Sequence, residues 1–531
     1  MGNRLSGETN IESILALDEQ IREHETAIAR LKRSRNSLLN VSKLPPEVLG
    51  KIFKWNVTPK GDFDGFEEQS HNFLFVCHQW FEVASFTPEL WSFWGNTPKD
   101  WARCHRRSGT MPIDLVVGVE KDDDSFNIDL RNALRDHAIQ NTIRRVHLKS
   151  SDSNILCSVI SELTATLEKP RSTSMESFIL QNRGPGAVDA SEFLTHNSFP
   201  KLRRLELFDC RVSSWDLITS LTPVLTTLDL YFRCILFSRS PTTSQLLSIL
   251  ASYPTLQRVS LSWLEDPDRV RGSEDLSPRV QLHHLRELKL DGWLRDVFRL
   301  LDRLDHPRHM DNLVINLEDC KVEDISQLIG PCLRDNLSNR GGSQNGLGLS
   351  LRLHYSGAIE LQIGDAGGVD LSAPVPVRMN TFMTIAVGFD SEPLHPLDKV
   401  ILDLIAHAPR EEVVYFRVYG KHMAMGDIST QFQNLRGLHF ENTSLTAAFP
   451  KSILDRDGVI FPSLEYVLLG WVDANDDDWT PLMTFLDWRV SRGNRLHTLG
   501  IIGTYPIAPS VLRGLEDVVR EFKHGTSGST A

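Results

Sequence analysis

The sequence predicts an α/β protein in which a long helix and a small helical module precede an array of repeated strand–helix units. Three observations lead to this fold class. A heptad-like apolar pattern runs over residues 11–39. Apolar residues at three- and four-residue spacing fill residues 44–91. From about residue 143 onward, one short apolar pattern recurs a dozen times.

The first element is a predicted helix over 11–39, preceded by ten residues expected to be disordered. Its heptad positions a and d hold Ile14, Leu17, Ile21, His24, Ile28, Leu31, Arg35 and Leu38. This is a coiled-coil-like seam, which His24 and Arg35 weaken. The seam suits dimerisation or a partner helix as well as it suits packing back on the same chain, so a homodimer through 11–39 stays open.

The second element is a compact helical module. Pro45, Pro46 and Glu47 indicate a helix start, and Thr87-Pro88-Glu89 indicates another. Between them, a second helical stripe consists of Phe73, Val76, Cys77, Trp80, Phe81 and Ala84. Helices this short cannot bury so many large apolar groups among themselves. We therefore expect a partner or the rest of the chain to cover Leu49, Phe53, Trp80 and Trp91.

The order of motifs in this module resembles an F-box: Leu44-Pro45, then Ile52-Phe53, then Val76-Cys77-x-x-Trp80, then Leu90-Trp91. The resemblance implies a module that docks on the adaptor of an SCF (cullin–RING) ubiquitin ligase. The adaptor-binding residues that it implies are Leu44, Pro45, Leu49, Ile52, Phe53, Val76, Trp80, Leu90 and Trp91. The loop before Val76 is longer than is usual in the family. The alternative is a helical subdomain that only packs on its own C-terminal part.

A bridge comes next, with a predicted helix near 98–108 that ends at Ser108-Gly109 and a strand over 111–117. Its sequence, Arg107-Ser108-Gly109 and then Pro112-Ile113-Asp114-Leu115, is similar to the segment after the F-box in fungal (basidiomycete-type) F-box proteins.

The recurring pattern is an apolar residue, a second one three residues later and a third two residues after that. It begins at Ile143, Met175, Leu202, Leu225, Leu256, Leu285, Met310, Phe382, Val413, Leu435, Leu464 and Leu496. Most starts lie about 22 to 32 residues apart, with helical stretches between them. Leu349, Leu351 and Leu353 are expected to supply a strand inside the one long gap.

These segments resemble leucine-rich repeats, although only 202–212 completes the repeat pattern, with Cys210 at its inward position. We expect an irregular solenoid, because each strand must bury its apolar side against the next unit. The alternative is an ordinary α/β domain whose strands read alike. The domain boundaries expected from sequence are a disordered N-terminus at 1–10, a coiled-coil-like helix at 11–40, the F-box at 42–95, a linker helix and first strand at 96–141, the solenoid at 142–515 and a tail at 516–531.

Composition narrows the function. The net charge of −12 argues against a general nucleic-acid binder, which needs a basic surface. Seven scattered cysteines without CxxC spacing are typical of reduced thiols in a cytoplasmic or nuclear protein. No apolar run approaches the roughly 20 residues of a membrane span. We find no catalytic, cofactor or metal motif: the acidic run at 473–478 lacks the glycine and the glutamate of a calcium loop.

The sequence therefore predicts a non-catalytic binding protein without a cofactor. On the solenoid strands, side chains between the core leucines point outward. Candidate target-binding residues at such positions are Phe208, Tyr231, Asp291, Tyr419 and Glu441. We expect the substrate-recognition subunit of an SCF-type ubiquitin ligase, with the adaptor and an unknown target protein as partners. The alternative is a repeat scaffold without ligase docking.

Overall fold

The computed structural model describes residues 5–57, 71–95, 98–119, 143–167, 174–196, 199–221, 223–232, 241–264, 279–305, 307, 310–318, 347–353, 359–365, 380–387, 405–406, 408–419, 431–451, 454, 460–471, 479–503 and 507–525. Over these residues the fold is mixed α/β, with mostly parallel strands and about a dozen helices. The predicted α/β class is thereby confirmed. The chain divides into two compact units, Met1–Leu202 and Arg203–Ala531.

The first unit begins with helix α1, Leu5–Ser37. The helix starts earlier than the predicted residue 11, so residues 5–10 are helical rather than disordered. It also ends before Leu38, which lies in the turn after the helix. From Ser13 to Ser37 nearly every side chain of α1 is exposed.

The helical module consists of four short elements: α2 (Pro46–Val57), a 3₁₀ turn (His71–Phe75), α3 (His78–Ser85) and a second 3₁₀ turn (Pro88–Leu90). The bridge helix that follows it is α4 (Pro98–Ser108). Both predicted starts, at Pro46 and Pro88, coincide with the first residue of an element. Gly109 comes directly after α4 with φ +61°, which is the left-handed C-terminal stop that the sequence predicts.

A parallel ladder comes after the module within the first unit. Its strands are β1 (Phe93–Trp94), β2 (Ile113–Val119), β3 (Ile143–Ser150) and β4 (Ser177–Asn182), each paired with the next. The short strand β5 (Val188–Asp189) and the helices α5 (Ser153–Leu167) and α6 (Ser191–His196) complete the unit. Asp114 on β2 is buried and accepts hydrogen bonds from Arg144 and Arg145 on β3. Burial raises the pKa of Asp114, but these arginines bring it below its ordinary value.

The second unit alternates strands with short helices. Its strands are β6 (Arg204–Phe208), β7 (Cys210–Arg211), β8 (Thr227–Tyr231), β9 (Arg258–Leu264), β10 (Val280–Gln281), β11 (Glu287–Trp293), β12 (Leu304–Asp305), β13 (Asn312–Glu318), β14 (Leu347–Leu353), β15 (Ile359–Asp365), β16 (Asn380–Val387), β17 (Val413–Tyr419), β18 (Gly437–Glu441), β19 (Tyr466–Gly470), β20 (Thr498–Ile502) and β21 (Glu521–Gly525). Its helices are α7 (Asp216–Thr219), α8 (Thr243–Ser252), α9 (Leu294–Arg303), α10 (Leu445–Ala448), α11 (Thr480–Ser491) and α12 (Pro509–Val518).

Neighbouring strands of this unit pair in the register that the apolar pattern predicts. Across β6, β8, β9, β11 and β13, the second residues of the apolar pattern form one row, and the third residues form the next row. The first row consists of Leu205, Leu228, Val259, Leu288 and Leu313. The same alignment recurs from β17 to β20 with Phe416, Leu438, Val467 and Leu499. All these side chains are buried, because each strand presents its apolar side to the same core.

The regular order is interrupted once among the described strands, between β13 and β17. The strand order there is β13-β16-β15-β14-β17, in which β15 pairs antiparallel with both neighbours. The strand expected at Leu349–Leu353 therefore exists, but it pairs beside β17 instead of filling the gap after β13. The pattern predicted at Phe382 is also shifted, because Met383 and Ile385 stand opposite Leu313 and Ile315.

Three strands of this unit are followed at once by a residue with positive φ. These residues are Asp209, Asn442 and Trp471, with φ between 46° and 53°. Each donates its backbone N–H to the last carbonyl of the neighbouring strand: Asp209 to Tyr231, Asn442 to Gly470 and Trp471 to Ile502, over 2.7 to 3.0 Å. The same backbone corner therefore recurs at three strand ends of this unit.

The C-terminal part is more ordered than predicted. Residues 516–531 were expected to form a tail, but α12 continues to Val518 and β21 pairs in parallel with β20. Residues 526–531 lie outside the described residues. Among the residues that the structure does describe, no helix has both the length and the apolar character needed to span a membrane.

Candidate partner-docking site

The helical module has an aromatic core of its own. Leu49, Phe53 and Val57 occupy one side of α2 at four-residue spacing, and all three are buried. The ring of Phe53 stacks on Phe73 with centroids 4.8 Å apart, and it lies 5.0 Å from the ring of Trp80. Such aromatic contacts stabilise beyond simple burial. The α2 helix is therefore held by its Leu49 side.

Trp91 closes the other end of this core. Its side chain is fully buried, and its indole N–H donates to the carbonyl oxygen of Ala84 over 2.7 Å. The guanidinium of Arg107 on α4 lies 4.3 Å from the centre of the Trp91 ring, a cation–π geometry. The core of the module thus extends to the bridge helix.

The opposite side of α2 is also apolar, but it is exposed. Val48, Ile52 and Trp55 fall at three- and four-residue spacing, and Trp55 is 72% exposed. Further exposed apolar side chains lie just before, within and after α3: Phe75, Val76, Phe81 and Phe86, of which Phe75 and Phe86 are each 85% exposed. We refer to these seven residues as the exposed apolar set.

The predicted adaptor-binding residues divide between core and exterior. Ile52 and Val76 belong to the exposed apolar set, Pro45 is exposed, and Leu44 and Trp80 are half-buried. The prediction is corrected for four residues, Leu49, Phe53, Leu90 and Trp91. Each is buried in the module, so it supports the outer surface of the module and does not lie on it. We expected a partner or the rest of the chain to cover Leu49, Phe53, Trp80 and Trp91. Leu49, Phe53 and Trp91 are buried within the first unit, with Arg107 of the bridge helix over Trp91, and Trp80 is half-buried.

One polar contact and one close approach connect α2, α3 and the chain before them. The side-chain amide of Gln79 donates to the carbonyl of Ser42 over 3.1 Å, which ties α3 to the chain before α2. A Cβ on Gly50 would lie 3.4 Å from Oγ1 of Thr87, so α2 and the turn after α3 approach closely. The indole nitrogen of Trp80 is buried without an acceptor among the described residues. The Gln79 hydrogen bond and the close approach at Gly50 thus bring together the elements that carry the exposed apolar set.

The distribution of exposed apolar residues is uneven along the chain. Among the described residues, every large apolar side chain that counts as exposed lies between Ile14 and Phe86, apart from Val224, Trp471 and Val490. Single exposed apolar residues are ordinary, but a concentration of them indicates an interaction site. The first part of the molecule is therefore the best candidate for a docking region.

The second candidate region is the outward side of the strands in the second unit. Phe208 and Tyr231, predicted as target contacts, stack with ring centroids 4.1 Å apart and planes 10° apart. Beside them, Glu206 and Asp229 are paired in register on β6 and β8. Burial and the neighbouring Glu206 raise the pKa of Asp229 to about 7. The aromatic pair thus lies next to a carboxyl pair that holds a proton near neutral pH.

Further along the sheet, Glu441 differs from the prediction. Its side chain is buried and forms an ion pair with Arg417 on the neighbouring strand, so it is not an open contact residue. Next to it, the hydroxyl of Tyr415 lies 3.2 Å from Nδ1 of His439. Burial and the nearby Arg417 lower the pKa of His439 to about 3, so this imidazole is neutral. Tyr419 is half-buried and stands opposite Glu441 in register.

Asp291 is half-buried on β11, and burial raises its pKa while Lys289 opposes the rise. Tyr419 lies on β17, which is five strands away from β11 in the order β11-β13-β16-β15-β14-β17. At the usual strand spacing, this separation is about 24 Å. The five predicted target contacts therefore form two separate groups. In the described part of the chain, no group of histidine, cysteine and carboxylate side chains is arranged to hold a metal ion.

Comparison of the sequence with models of known protein families finds no match. A search of curated proteins likewise finds no similar sequence. The function is therefore inferred from the residues themselves and from the geometry described above.

Proposed function

We propose that this protein is a substrate receptor of an SCF-type ubiquitin ligase, with an F-box over 42–95 and an irregular leucine-rich-repeat-like region after it. The observation that carries the proposal is the concentration of exposed apolar side chains on a module with a complete core. A module that buries Leu49, Phe53 and Trp91 internally has no folding reason to keep Trp55 and Phe75 in solvent. A protein partner supplies that reason.

The motif resemblance supports the same proposal from the sequence. Of the predicted adaptor-binding residues on α2, Leu49 and Phe53 build the core, and Ile52 lies outside. Core and exterior thus alternate within one short motif. We propose that the adaptor contacts the exposed apolar set and not the buried motif residues.

The second unit would hold the target protein. Its parallel strands, aligned pattern and repeated corners support a leucine-rich-repeat-like solenoid. We propose the stacked Phe208 and Tyr231 as the centre of the target-binding surface, because aromatic residues are enriched at interface cores. Asp291, two strands from Tyr231, would lie at its edge.

The test is co-purification of the full chain with a recombinant SCF adaptor. Ile52→Asp places a charge in the exposed apolar set and should weaken adaptor binding by roughly 2 kcal/mol or more. Lys54→Asp is the control, because Lys54 is an exposed polar residue of the same helix. Unchanged circular dichroism would show that both variants keep the fold.

Three results would contradict the proposal: no adaptor with the wild-type chain, equal binding by Ile52→Asp, or equal loss with Lys54→Asp. The alternative function is a repeat scaffold without ligase docking. It predicts that the wild-type chain leaves the adaptor unbound while Phe208→Ala still removes a protein partner.

A further inference from the structure

Helix α1 presents an apolar seam to solvent. It is 33 residues long, about 50 Å at 1.5 Å per residue. Along it, Ile14, Leu17, Ile21, Ile28 and Leu31 are each more than half exposed. In proteins, a helix gains most of its stability from the packing of its apolar side against other elements. Within the described part of the chain nothing covers this seam, which calls for a partner.

The residue types indicate one further helix. The a positions hold Ile14, Ile21 and Ile28, and the d positions hold Leu17 and Leu31. In parallel coiled coils, isoleucine at a with leucine at d is the composition that favours two strands. The seam therefore suits contact with a single second helix, and the charges of the helix set the direction of that partner.

Charge decides the direction. Over the first half of the seam, the helix carries four acidic residues, Asp18, Glu19, Glu23 and Glu25, and one basic residue, Arg22. Over the second half, all charged residues are basic: Arg30, Lys32, Arg33 and Arg35. A parallel pair would place like charges side by side and would stack Arg35 on its own copy. An antiparallel pair places the acidic half of one helix against the basic half of the other, which is favourable.

We propose that α1 forms an antiparallel coiled coil with α1 of a second copy of this chain. The layers are Ile14 with Leu38, Leu17 with Arg35, Ile21 with Leu31, and His24 with Ile28 of the second copy. On the flank, Asp18 faces Lys32 of the second copy, and symmetry produces this contact twice. At the two-fold axis, Glu25 lies beside Glu25 of the second copy, which gives one like-charge contact.

The arrangement has a geometric consequence. The two Leu38 residues, after which the helical modules begin, lie roughly 36 Å apart along the pair. Each exposed apolar set is then at its own end of the dimer. The dimer does not depend on the proposed function, since the seam and the exposed apolar set are different residues.

The dimer is tested by sedimentation of the full chain over a concentration series. Ile28→Asp puts a charge into the seam, and Thr26→Asp puts the same charge on the outer side of the same turn. Helix propensity changes by similar amounts in the two variants. We expect Ile28→Asp to weaken self-association at least about tenfold and Thr26→Asp to change it less than about twofold. A monomeric wild type, or equal effects of the two variants, overturns the proposal.

The direction is tested by a charge reversal. Asp18→Lys and Lys32→Asp should each weaken the dimer about threefold, and the double variant should restore it. The two positions are too far apart to touch within one helix, so restoration requires a contact between copies. Without restoration, the antiparallel register is wrong.

A disulfide experiment checks the same point independently. An oxidised mixture of Ile21→Cys and Leu31→Cys should yield the mixed disulfide, identified by peptide mass mapping. Self-linked Ile21→Cys would indicate a parallel pair and would overturn the proposal.

Discussion

Between Ile14 and Phe86 many large apolar side chains lie in solvent, whereas from β6 onward most of them pair in register with the same position of the next strand. Both regions have a periodic apolar pattern. In the second unit, neighbouring strands of the same chain pair with one another, so the chain supplies its own neighbour. Helix α1 and the helical module have no such neighbour among the described residues.

Periodicity thus predicts an apolar side but not its occupant. In a repeat array the occupant is the next unit of the same chain. For a single helix, or for a module with apolar residues on both sides, we propose that the occupant is another molecule. Four experiments test this contrast between covered and uncovered apolar sides.

The largest effect concerns the two sides of α2. Phe53→Ala removes a ring that stacks on Phe73 and should lower the free energy of unfolding by about 3 to 5 kcal/mol. Ile52→Ala, one residue away but exposed, should change it by less than about 0.5 kcal/mol. Urea unfolding, followed by tryptophan fluorescence, measures both. Similar losses from the two variants would show that the module has no separate core and exterior.

The next effect concerns a buried arginine in the second unit. Arg489 on α11 is almost fully buried, and it donates to the carbonyl oxygens of Ile460, Phe461, Leu464 and Asn494 over 3.0 to 3.1 Å. Burial lowers its pKa to about 10. These bonds hold the chain before β19, where Phe461 has positive φ. Removing the guanidinium leaves buried carbonyls without a donor, which is costly.

Arg489→Met should therefore lower the free energy of unfolding by about 2 to 4 kcal/mol. Arg492→Met is the matched control, because the guanidinium of Arg492 lies over the Trp488 ring, at 5.0 Å from its centre. It should cost less than about 1 kcal/mol. Equal losses of unfolding free energy in the two variants would mean that the hydrogen bonds of Arg489 add no particular stability to the second unit.

Much of the second unit could be predicted from sequence because strand patterning is local. Alternation and spacing alone placed Leu205, Leu228 and Val259 in one row. The antiparallel strand β15 escaped prediction, because the leucines of β14 fit parallel and antiparallel pairing equally. The displaced pattern near Phe382 has a different cause: Met383, Ile385 and Val387 alternate along one side of β16, so a shift by two residues keeps that side apolar and periodicity leaves two registers open.

The docking site was harder to predict for a physical reason. On α2 the stripe of Leu49 and Phe53 and the stripe of Val48 and Ile52 are both apolar, so the helical period cannot tell which one is core. The choice between the two stripes depends on where Phe73 packs, and this contact joins residues that are far apart in the sequence. Arg489 was missed because an isolated arginine in a helix is ordinarily a solvated residue.

A smaller effect depends on pH. Asp229 keeps its proton up to about pH 7 in the folded chain, whereas an unfolded aspartate loses it near pH 4. The folded state therefore binds more protons in this window, and stability falls as pH rises through it. Asp229→Asn lacks this loss. It should equal wild type at about pH 4 and become progressively more stable than wild type as the pH rises to about 8.

Denaturant unfolding across that range measures the difference, with Asp302→Asn as the control at an exposed carboxyl of the same unit. Glu206→Gln should remove part of the fall, because Glu206 helps to raise the pKa of Asp229. A constant difference between Asp229→Asn and wild type at all pH values would contradict the proton held between β6 and β8.

The smallest effect tests whether the outward aromatic pair belongs with the exposed apolar set or with the covered rows. Phe208 and Tyr231 stack on each other, so each is partly covered by its own chain. A double-mutant cycle with Phe208→Ala and Tyr231→Ala should give a coupling of about 0.5 to 1.5 kcal/mol in stability. If these residues also bind the target protein, each single variant should weaken that binding more than it weakens the fold. A coupling near zero would show that the pair does not stack in solution, and the centre of the proposed target surface would have to move elsewhere.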